Sequence, residues 1–363
     1  MPFQILYPAA TPGTPASYVP YAAPLVAAFS QRQGRMMQLV LGRIGGLAAP
    51  WSAAAPVAQG GALPVILYLP GATGYMQMGS FQTTAPAAQG FVVVTLNQPG
   101  AVSAAVMPDG SVIPGLTREQ ATQLIAPSYR PTNLPLPAPF ADRLAPQTSI
   151  VPYFAADVAL VLDRLVQVNA APRHALHTRL DLGHVGLMGL SLGAIVTAQA
   201  CATEPRVTAC LMMDAPVPLQ VTARGLRQKT LRIARPADDQ RAERTAAVGW
   251  PEPEIAAQAR SIDTALSHSD QASLIFLHGL FHVDFTDLPA VQPLIGWLGQ
   301  SSPAGYAQAQ RQINDLTKTF FAAALGPLPD QGPLHPAKPP ATRRNWNRPP
   351  ACPRQTRPKQ GRT

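Results

Sequence analysis

The chain has few charged residues, few cysteines and no long apolar run. Only 13% of its 363 residues are charged, against roughly 25% in an average soluble domain, whereas 47% are hydrophobic. Its three cysteines are too few for a disulfide framework, and no pair has the spacing of zinc ligands. We expect Cys201 and Cys210 to be small core residues, with a single bridge between them left open. No run of about 18 apolar residues is free of Pro or polar interruption, so none is expected to span a bilayer.

The net charge of +9 is concentrated at the carboxyl end. Residues 326–363 contain eight of the 28 Lys and Arg residues and one of the 19 acidic residues, so the rest of the chain is nearly neutral. The same segment holds ten of the 41 prolines and few aliphatic residues, which predicts a disordered tail. We expect no nucleic-acid binding. The positive charge of this tail favours only a weak association with an anionic membrane surface.

Continuous apolar runs, separated by segments of helical periodicity, indicate an α/β fold with a doubly wound, mostly parallel sheet. The expected buried strands are 64–69, 91–96, 185–188, 207–213 and 273–277, and the segments 192–202 and 240–266 have a helical period. We predict a single domain over residues 1–325. It contains an insertion at 98–150, rich in Pro, Gly and Ala, which we expect to be a lid-like loop that shapes the pocket.

The segment Gly189-Leu190-Ser191-Leu192-Gly193 lies between a predicted strand and a predicted helix. A G-x-S-x-G sequence in this position is typical of a nucleophile elbow, in which glycines permit a sharp turn that lifts the serine to the mouth of the sheet. The N-terminus of the following helix directs backbone N–H groups at a developing anion. Ser191 is therefore the candidate nucleophile. An ordinary strand-to-helix turn with a capping serine is the alternative.

A serine nucleophile needs a general base, which an imidazole held by a carboxylate supplies. In α/β-hydrolases the order along the chain is serine, acid, histidine. Four histidines follow Ser191: His268, His278, His282 and His335. His335 falls in the predicted tail, and His268 lies in a polar loop before a strand. We favour His282 over His278, because His282 stands in the loop beyond the strand end, from which a base can reach the serine.

The candidate acid is Asp214, which directly follows the predicted strand 207–213. A turn or capping aspartate at a strand end is the alternative interpretation. Four other aspartates are fallback candidates: Asp238, Asp239, Asp284 and Asp287. We interpret the last two as residues that shape the loop around His282.

Two backbone N–H groups are candidates for an oxyanion hole. One belongs to Leu192, the residue after the nucleophile, and the other comes from the loop after an early central strand. Pro70-Gly71-Ala72-Thr73-Gly74 follows the strand 64–69, so the N–H of Ala72 is the second predicted donor. Neither glycine-rich nucleotide-binding motif is present. We expect no metal and no organic cofactor.

With these motifs placed, the chain resembles the platelet-activating-factor acetylhydrolase-like branch (plasma/isoform II type) of the α/β-hydrolases, in particular its bacterial members. The resemblance covers about residues 3–300 and rests on FQILYPA at 3–9, LPGATG at 69–74, GLMGLSLGA at 186–194, MMDA at 212–215 and GLFHVDFTDLP at 279–289. It implies the α/β-hydrolase fold, the triad Ser191, Asp214 and His282, and oxyanion donors at Ala72 and Leu192.

The resemblance has one departure, because relatives usually carry His-Gly where this chain has Pro70-Gly71. The backbone donor survives this change, whereas the support of its loop differs.

These observations together predict a serine esterase that forms an acyl-enzyme. The resemblance implies short-acyl esters, including short-chain phospholipids or other lipid esters. Two alternatives stay open: a polyester, aryl-ester or lactone hydrolase with the same triad, and a catalytically silent fold that only binds. The expected partner is a small-molecule or lipid ester, with no obligate protein partner. No signal-peptide pattern is found at Met1, so the compartment stays open between cytoplasmic and, with an upstream signal, periplasmic or secreted.

Overall fold

The computed structural model describes residues 1–33, 41–42, 44–141, 145, 148–247, 249–292, 299–302 and 305–328. Its strands are β1 (Phe3–Leu6), β2 (Thr14–Ser17), β3 (Ala48–Ala53), β4 (Leu63–Leu69), β5 (Val92–Leu96), β6 (Ala104–Val106), β7 (Val112–Pro114), β8 (Leu180–Leu190), β9 (Val207–Met213), β10 (Lys229–Ala234) and β11 (Ala272–Phe276). The predicted disordered tail lies outside the described residues beyond residue 328, so that prediction is untested.

The α-helices of the described residues are α1 (Ala22–Gln33), α2 (Ser80–Ala87), α3 (Arg118–Ile125), α4 (Ala138–Ala141), α5 (Val151–Ala170), α6 (Leu192–Thr203), α7 (Leu219–Thr222), α8 (Ala237–Ala246), α9 (Glu252–Ser267), α10 (Leu288–Val291) and α11 (Tyr306–Leu325). Short 3-10 helices occupy Ile44–Gly46, Met76–Gly79, Ala126–Ser128 and His282–Phe285. No helix in this set is both long enough and apolar enough to cross a membrane.

A seven-stranded sheet, counted over the described residues, organises the molecule in the order β1-β5-β4-β8-β9-β10-β11. Strands β5, β4, β8, β9, β10 and β11 are parallel, and β1 joins the edge antiparallel to β5. The predicted α/β-hydrolase fold with a doubly wound, mostly parallel sheet is confirmed. All carboxyl ends of the parallel strands lie at one edge, which is where such sheets bind ligands.

Both faces of the sheet are covered, as the continuous apolar runs require. Strand β4 is buried at all of its seven positions. One core lies between the sheet and helices α5, α6 and α9, and includes the buried side chains of Phe154 and Leu162. The other core contains Phe81 of α2 and Phe321 of α11. Helix α6, which begins directly after Ser191, is thus anchored by the larger core.

The segment 240–266, predicted to be helical throughout, is divided into α8 and α9. The sequence Gly249-Trp250-Pro251 separates the two helices. Proline disfavours the helical conformation in the residue before it and is well suited to the start of a helix, so Trp250 is not helical and the next helix begins at Glu252. The break places the ring of Trp250 against that of His282, with 5.5 Å between the ring centroids.

The insertion at 98–150 contains short strands and helices, which its Pro-, Gly- and Ala-rich sequence did not indicate. Strands β6 and β7 form a hairpin, and α3 begins with a reciprocal capping box between Thr117 and Gln120. An ion pair of 2.7 Å between Arg130 and Glu254 attaches the insertion to α9. Its predicted lid-like movement stays a prediction.

A disulfide joins Cys201, near the end of α6, to Cys210 in β9. Both residues are buried, at 2% and 0% exposure, as expected for small core residues. The bridge therefore links the helix that follows Ser191 to the strand that precedes Asp214.

Removing this bridge by the double change Cys201→Ala and Cys210→Ala is expected to lower the free energy of unfolding by about 2–3 kcal/mol, because the unfolded chain loses a short closed loop. Denaturant unfolding of the oxidised wild type, the reduced wild type and the double variant measures the effect. Cys352→Ala serves as the control for loss of a cysteine outside the bridge. Equal stability of all four samples would contradict the prediction.

Candidate active site

Ser191 stands at a sharp turn between β8 and α6. Its backbone has φ 56° and ψ −121°, in the left-handed region that costs a non-glycine residue about 1–3 kcal/mol. The turn is held because the N–H of Ser191 donates to the carbonyl of Met213 at 3.0 Å, and its own carbonyl accepts from Ala194 and Ile195. The half-buried Ser191 side chain lines two cavities at the carboxyl edge of the sheet.

The glycines on both sides of Ser191 are required by close packing. A Cβ atom at Gly189 would clash with the carbonyl of Gly193, and a Cβ atom at Gly193 would clash with the carbonyl of Leu69. The first turn of α6 therefore lies directly against the end of β4. This contact explains why the elbow needs glycine on each side of its serine.

Asp214 and His282 meet beside this turn. Asp214 follows β9 with φ 47° and is 1% exposed. The Nδ1 atom of His282 lies 2.6 Å from Oδ2 of Asp214, and the His282 side chain is 25% exposed. With the Nδ1 proton donated to the carboxylate, Nε2 is the ring nitrogen left to accept a proton. His282 lines the same two cavities as Ser191.

Two charged residues that sequence reasoning missed extend this pair. Arg235, directly after β10, donates from Nε to Oδ2 of Asp214 at 2.8 Å and from Nη1 to Oε2 of Glu243 at 2.6 Å. Glu243, on α8, accepts the backbone N–H of His282 at Oε1 over 2.9 Å. The signal that could have found Arg235 is its position directly after a buried strand, the same position that marked Asp214.

Arg235 and His282 together determine the ionisation of Asp214. Burial raises the pKa of the Asp214 carboxyl, but the Arg235 charge and the hydrogen bonds from His282 and Arg235 outweigh it, so the pKa lies well below its ordinary value. Burial likewise lowers the pKa of Arg235, and the two carboxylates beside it raise the pKa above its ordinary value. Asp214 is therefore an anion throughout the physiological range.

The loop after β4 supplies the second predicted oxyanion donor. Within the described residues, neither the N–H of Ala72 nor that of Leu192 has a hydrogen-bond acceptor. Thr73 holds a left-handed φ of 58°, and its N–H donates to Ala101 at 3.2 Å. A Cβ atom at Gly71 would lie 3.2 Å from Cβ of Ser191, so the loop passes close to the serine. One of the two free N–H groups thus belongs to the residue after Ser191, and the other to a loop that passes close to it.

Two cavities open beside Ser191 and His282. The smaller, about 280 Å³, is lined mainly by residues of the β4 loop and the His282 loop, among them Met78, Val283 and Leu288. The larger, about 680 Å³, is lined by α3 of the insertion, by Ile195 and by Trp250. Helix α3 of the insertion therefore forms a wall of the larger cavity.

Two of the fallback aspartates, Asp284 and Asp287, accept hydrogen bonds from backbone N–H groups. Asp284 accepts the N–H of Phe281 at 2.8 Å, and Asp287 accepts the N–H of Ser80 at 2.8 Å. Burial raises the pKa of Asp287 to about 6. Both side chains hold the loop around His282, as interpreted from the sequence.

The remaining candidate aspartates and histidines have other partners or are exposed. Asp239 accepts the N–H of Gly279 at 2.9 Å, and Asp238 pairs with Arg241 on the surface. His278 is 77% exposed by its side chain, and Nδ1 of His268 lies 2.8 Å from the carbonyl of Thr222. His335 lies outside the described residues. Across the part of the chain that the structure describes, no three His, Cys, Asp or Glu side chains group as a metal site requires.

Comparisons with known proteins support the fold. A solved ferulic acid esterase from Streptomyces cinnamoneus is similar to this chain with a TM-score of 0.62 and 19% sequence identity, over 89% of this chain and 82% of that one. A scan against protein-family models found no match. A search of curated proteins also found none. The likeness thus supports the α/β-hydrolase architecture, and the finer resemblance to the platelet-activating-factor acetylhydrolase-like family is not confirmed.

Replacing Gly193 by alanine is expected to lower the free energy of unfolding by about 3 kcal/mol, because the added methyl group must displace the backbone of Leu69. Gly46→Ala is the matched control, since a Cβ atom at Gly46 has open space around it. Its effect should stay within about 0.5 kcal/mol. Urea unfolding of both variants measures the difference, and equal stability would refute the packing argument.

Proposed function

We propose that the protein is a carboxylic ester hydrolase that forms an acyl-enzyme on Ser191. The observation that carries the proposal is the 2.6 Å contact between His282 and a fully buried Asp214, beside a serine on a left-handed turn that lines the same cavities. An oriented imidazole next to a serine at a helix N-terminus suits acyl transfer.

In the proposed mechanism, Oγ of Ser191 attacks the ester carbonyl while Nε2 of His282 takes the hydroxyl proton. The carboxylate of Asp214 stabilises the imidazolium that results. The N–H groups of Ala72 and Leu192 donate to the oxyanion of the tetrahedral intermediate. His282 then gives its proton to the leaving alcohol. A water molecule that is deprotonated by His282 attacks the acyl-enzyme, and collapse of the second intermediate returns the proton to Ser191.

The two cavities favour an ester with an apolar group on each side of the carbonyl. Apolar side chains line both cavities, and the larger includes Ile125, Ile195 and Trp250. We therefore propose a lipid ester, short-acyl phospholipids included, as the substrate class. The alternative is an aryl ester, which the name of the ferulic acid esterase with a similar fold favours.

Ser191→Ala is expected to abolish labelling by a fluorophosphonate probe and to lower turnover of p-nitrophenyl butyrate by at least about 10⁴-fold, because no other group replaces the nucleophile. The control is Ser273→Ala, which removes an exposed serine of β11. Mass mapping of the modified peptide identifies the labelled residue.

Labelling of folded wild type at Ser191 supports the proposal. No labelling and no turnover in folded protein would overturn it and favour the catalytically silent alternative.

The larger cavity is expected to set the size limit of the substrate. Thr122→Trp places a bulky ring in this cavity from an exposed position of α3. Two series of esters are compared, one with a growing acyl chain and one with a growing alcohol. The variant should lower kcat/KM about tenfold for the long members of one series and leave p-nitrophenyl acetate unchanged, because each methylene excluded from an apolar pocket costs about 1 kcal/mol or more. Val283→Trp, which fills the smaller cavity, is the matched comparison and should affect the other series. Equal losses for acetate and for the long esters would contradict this division.

A further inference from the structure

A single carboxylate oxygen in the candidate site lies within hydrogen-bond distance of two side chains. Oδ2 of Asp214 lies 2.6 Å from Nδ1 of His282 and 2.8 Å from Nε of Arg235. The side chains of Asp214 and Arg235 are 0% and 1% exposed. The contact between Asp214 and Arg235 is therefore not screened by water, whereas the His282 side chain on the same oxygen is 25% exposed. The two groups compete for the same lone pairs and the same negative charge.

A permanent cation at this position works against protonation of His282. In a serine hydrolase triad the aspartate stabilises the imidazolium. The Arg235 guanidinium neutralises part of that charge and also repels the imidazolium directly. Because all three groups are packed at the edge of the core, this repulsion is stronger than it would be between exposed side chains.

Glu243 opposes the effect of Arg235. Its Oε2 atom accepts from Arg235 at 2.6 Å, and its Oε1 atom accepts the backbone N–H of His282 at 2.9 Å. The Glu243 side chain is 5% exposed and reaches the smaller cavity beside His282. Its negative charge favours an imidazolium and also offsets the charge of Arg235.

We propose that Arg235 and Glu243 are positioning residues that set, in opposite directions, the pH at which His282 becomes a competent general base. The inference rests on the proposed function. Arg235 keeps the imidazole neutral toward lower pH, and Glu243 limits that effect while it fixes the backbone of His282. The acid limit of activity then depends on two residues that act through Asp214 and through the backbone of His282.

Other charged or titratable groups face the His282 loop or the larger cavity: Asp239, His278, Asp284, Glu254 and Arg118. Asp239 and Asp284 accept backbone N–H groups, and Glu254 pairs with Arg130 at 2.7 Å. His278 and Arg118 are exposed. All of them are identical in the variants below, so their contributions cancel in the comparison.

The test is the pH dependence of kcat/KM for p-nitrophenyl butyrate, whose acid limb reports the base of the free enzyme. Arg235→Gln is expected to move the acid limb to higher pH by about one unit, because the imidazolium loses a repelling cation. Glu243→Gln should move it to lower pH, because the imidazolium loses an attracting anion. Arg235→Lys, which keeps the charge, should restore the wild-type limb in part.

A purely structural role predicts a different result. Shifts in the same direction, or lower kcat with an unmoved limb in both variants, would overturn the proposal. Near-UV circular dichroism checks that each variant is folded. If Arg235→Gln does not fold, the direction of the Glu243→Gln shift decides alone.

An NMR titration of the His282 ring separates this inference from the proposed function, since it needs no turnover. Opposite shifts of the imidazole pKa in the two Gln variants would support the inference even if wild type hydrolyses no ester. An imidazole pKa that neither variant changes would refute the inference even in an active esterase.

Discussion

Burial of the Asp214 carboxylate is the constraint on which the candidate site depends. Removing a carboxylate from water costs several kcal/mol, which a nearby cation must offset. Arg235 provides that cation and is itself buried, so it requires Glu243 as a second anion. The end of β9, the end of β10 and helix α8 therefore form one charged unit. The loop of His282 joins it through a ring nitrogen and a backbone N–H.

The sheet also holds backbone strain at this edge. Thr73, Ser191 and Asp214 are three non-glycine residues with left-handed φ angles, and each follows the end of a parallel strand. Such conformations persist where the surrounding structure leaves the chain no alternative. Here the fully buried β4 and the contact of Gly193 with the end of that strand supply the support. Rigid packing below the edge therefore keeps the reactive groups in place above it.

Residues that directly follow predicted strands could be found from the sequence. Asp214 was predicted in this way, Ser191 from the G-x-S-x-G motif between a strand and a helix, and His282 from its place in the loop after the last strand. The structure brings all three to one edge of the sheet. Arg235 and Glu243 were missed, because their role depends on how β10 lies beside β9 and on which face of α8 turns inward. The Cys201–Cys210 bridge also depends on three-dimensional proximity. Pro251 gave a local signal for the break before α9, but the helical period on both sides concealed it.

The antiparallel strand β1 determines where the amino end of the chain lies. Phe3 pairs with Leu96 at the carboxyl end of β5, and the carbonyl of Pro2 accepts the N–H of Asn97 at 3.0 Å. Helix α11 ends toward the opposite edge, where Phe321 packs against Phe91 just before β5 begins. A purification tag or surface linker attached to Met1 would therefore emerge at the edge that carries Ser191.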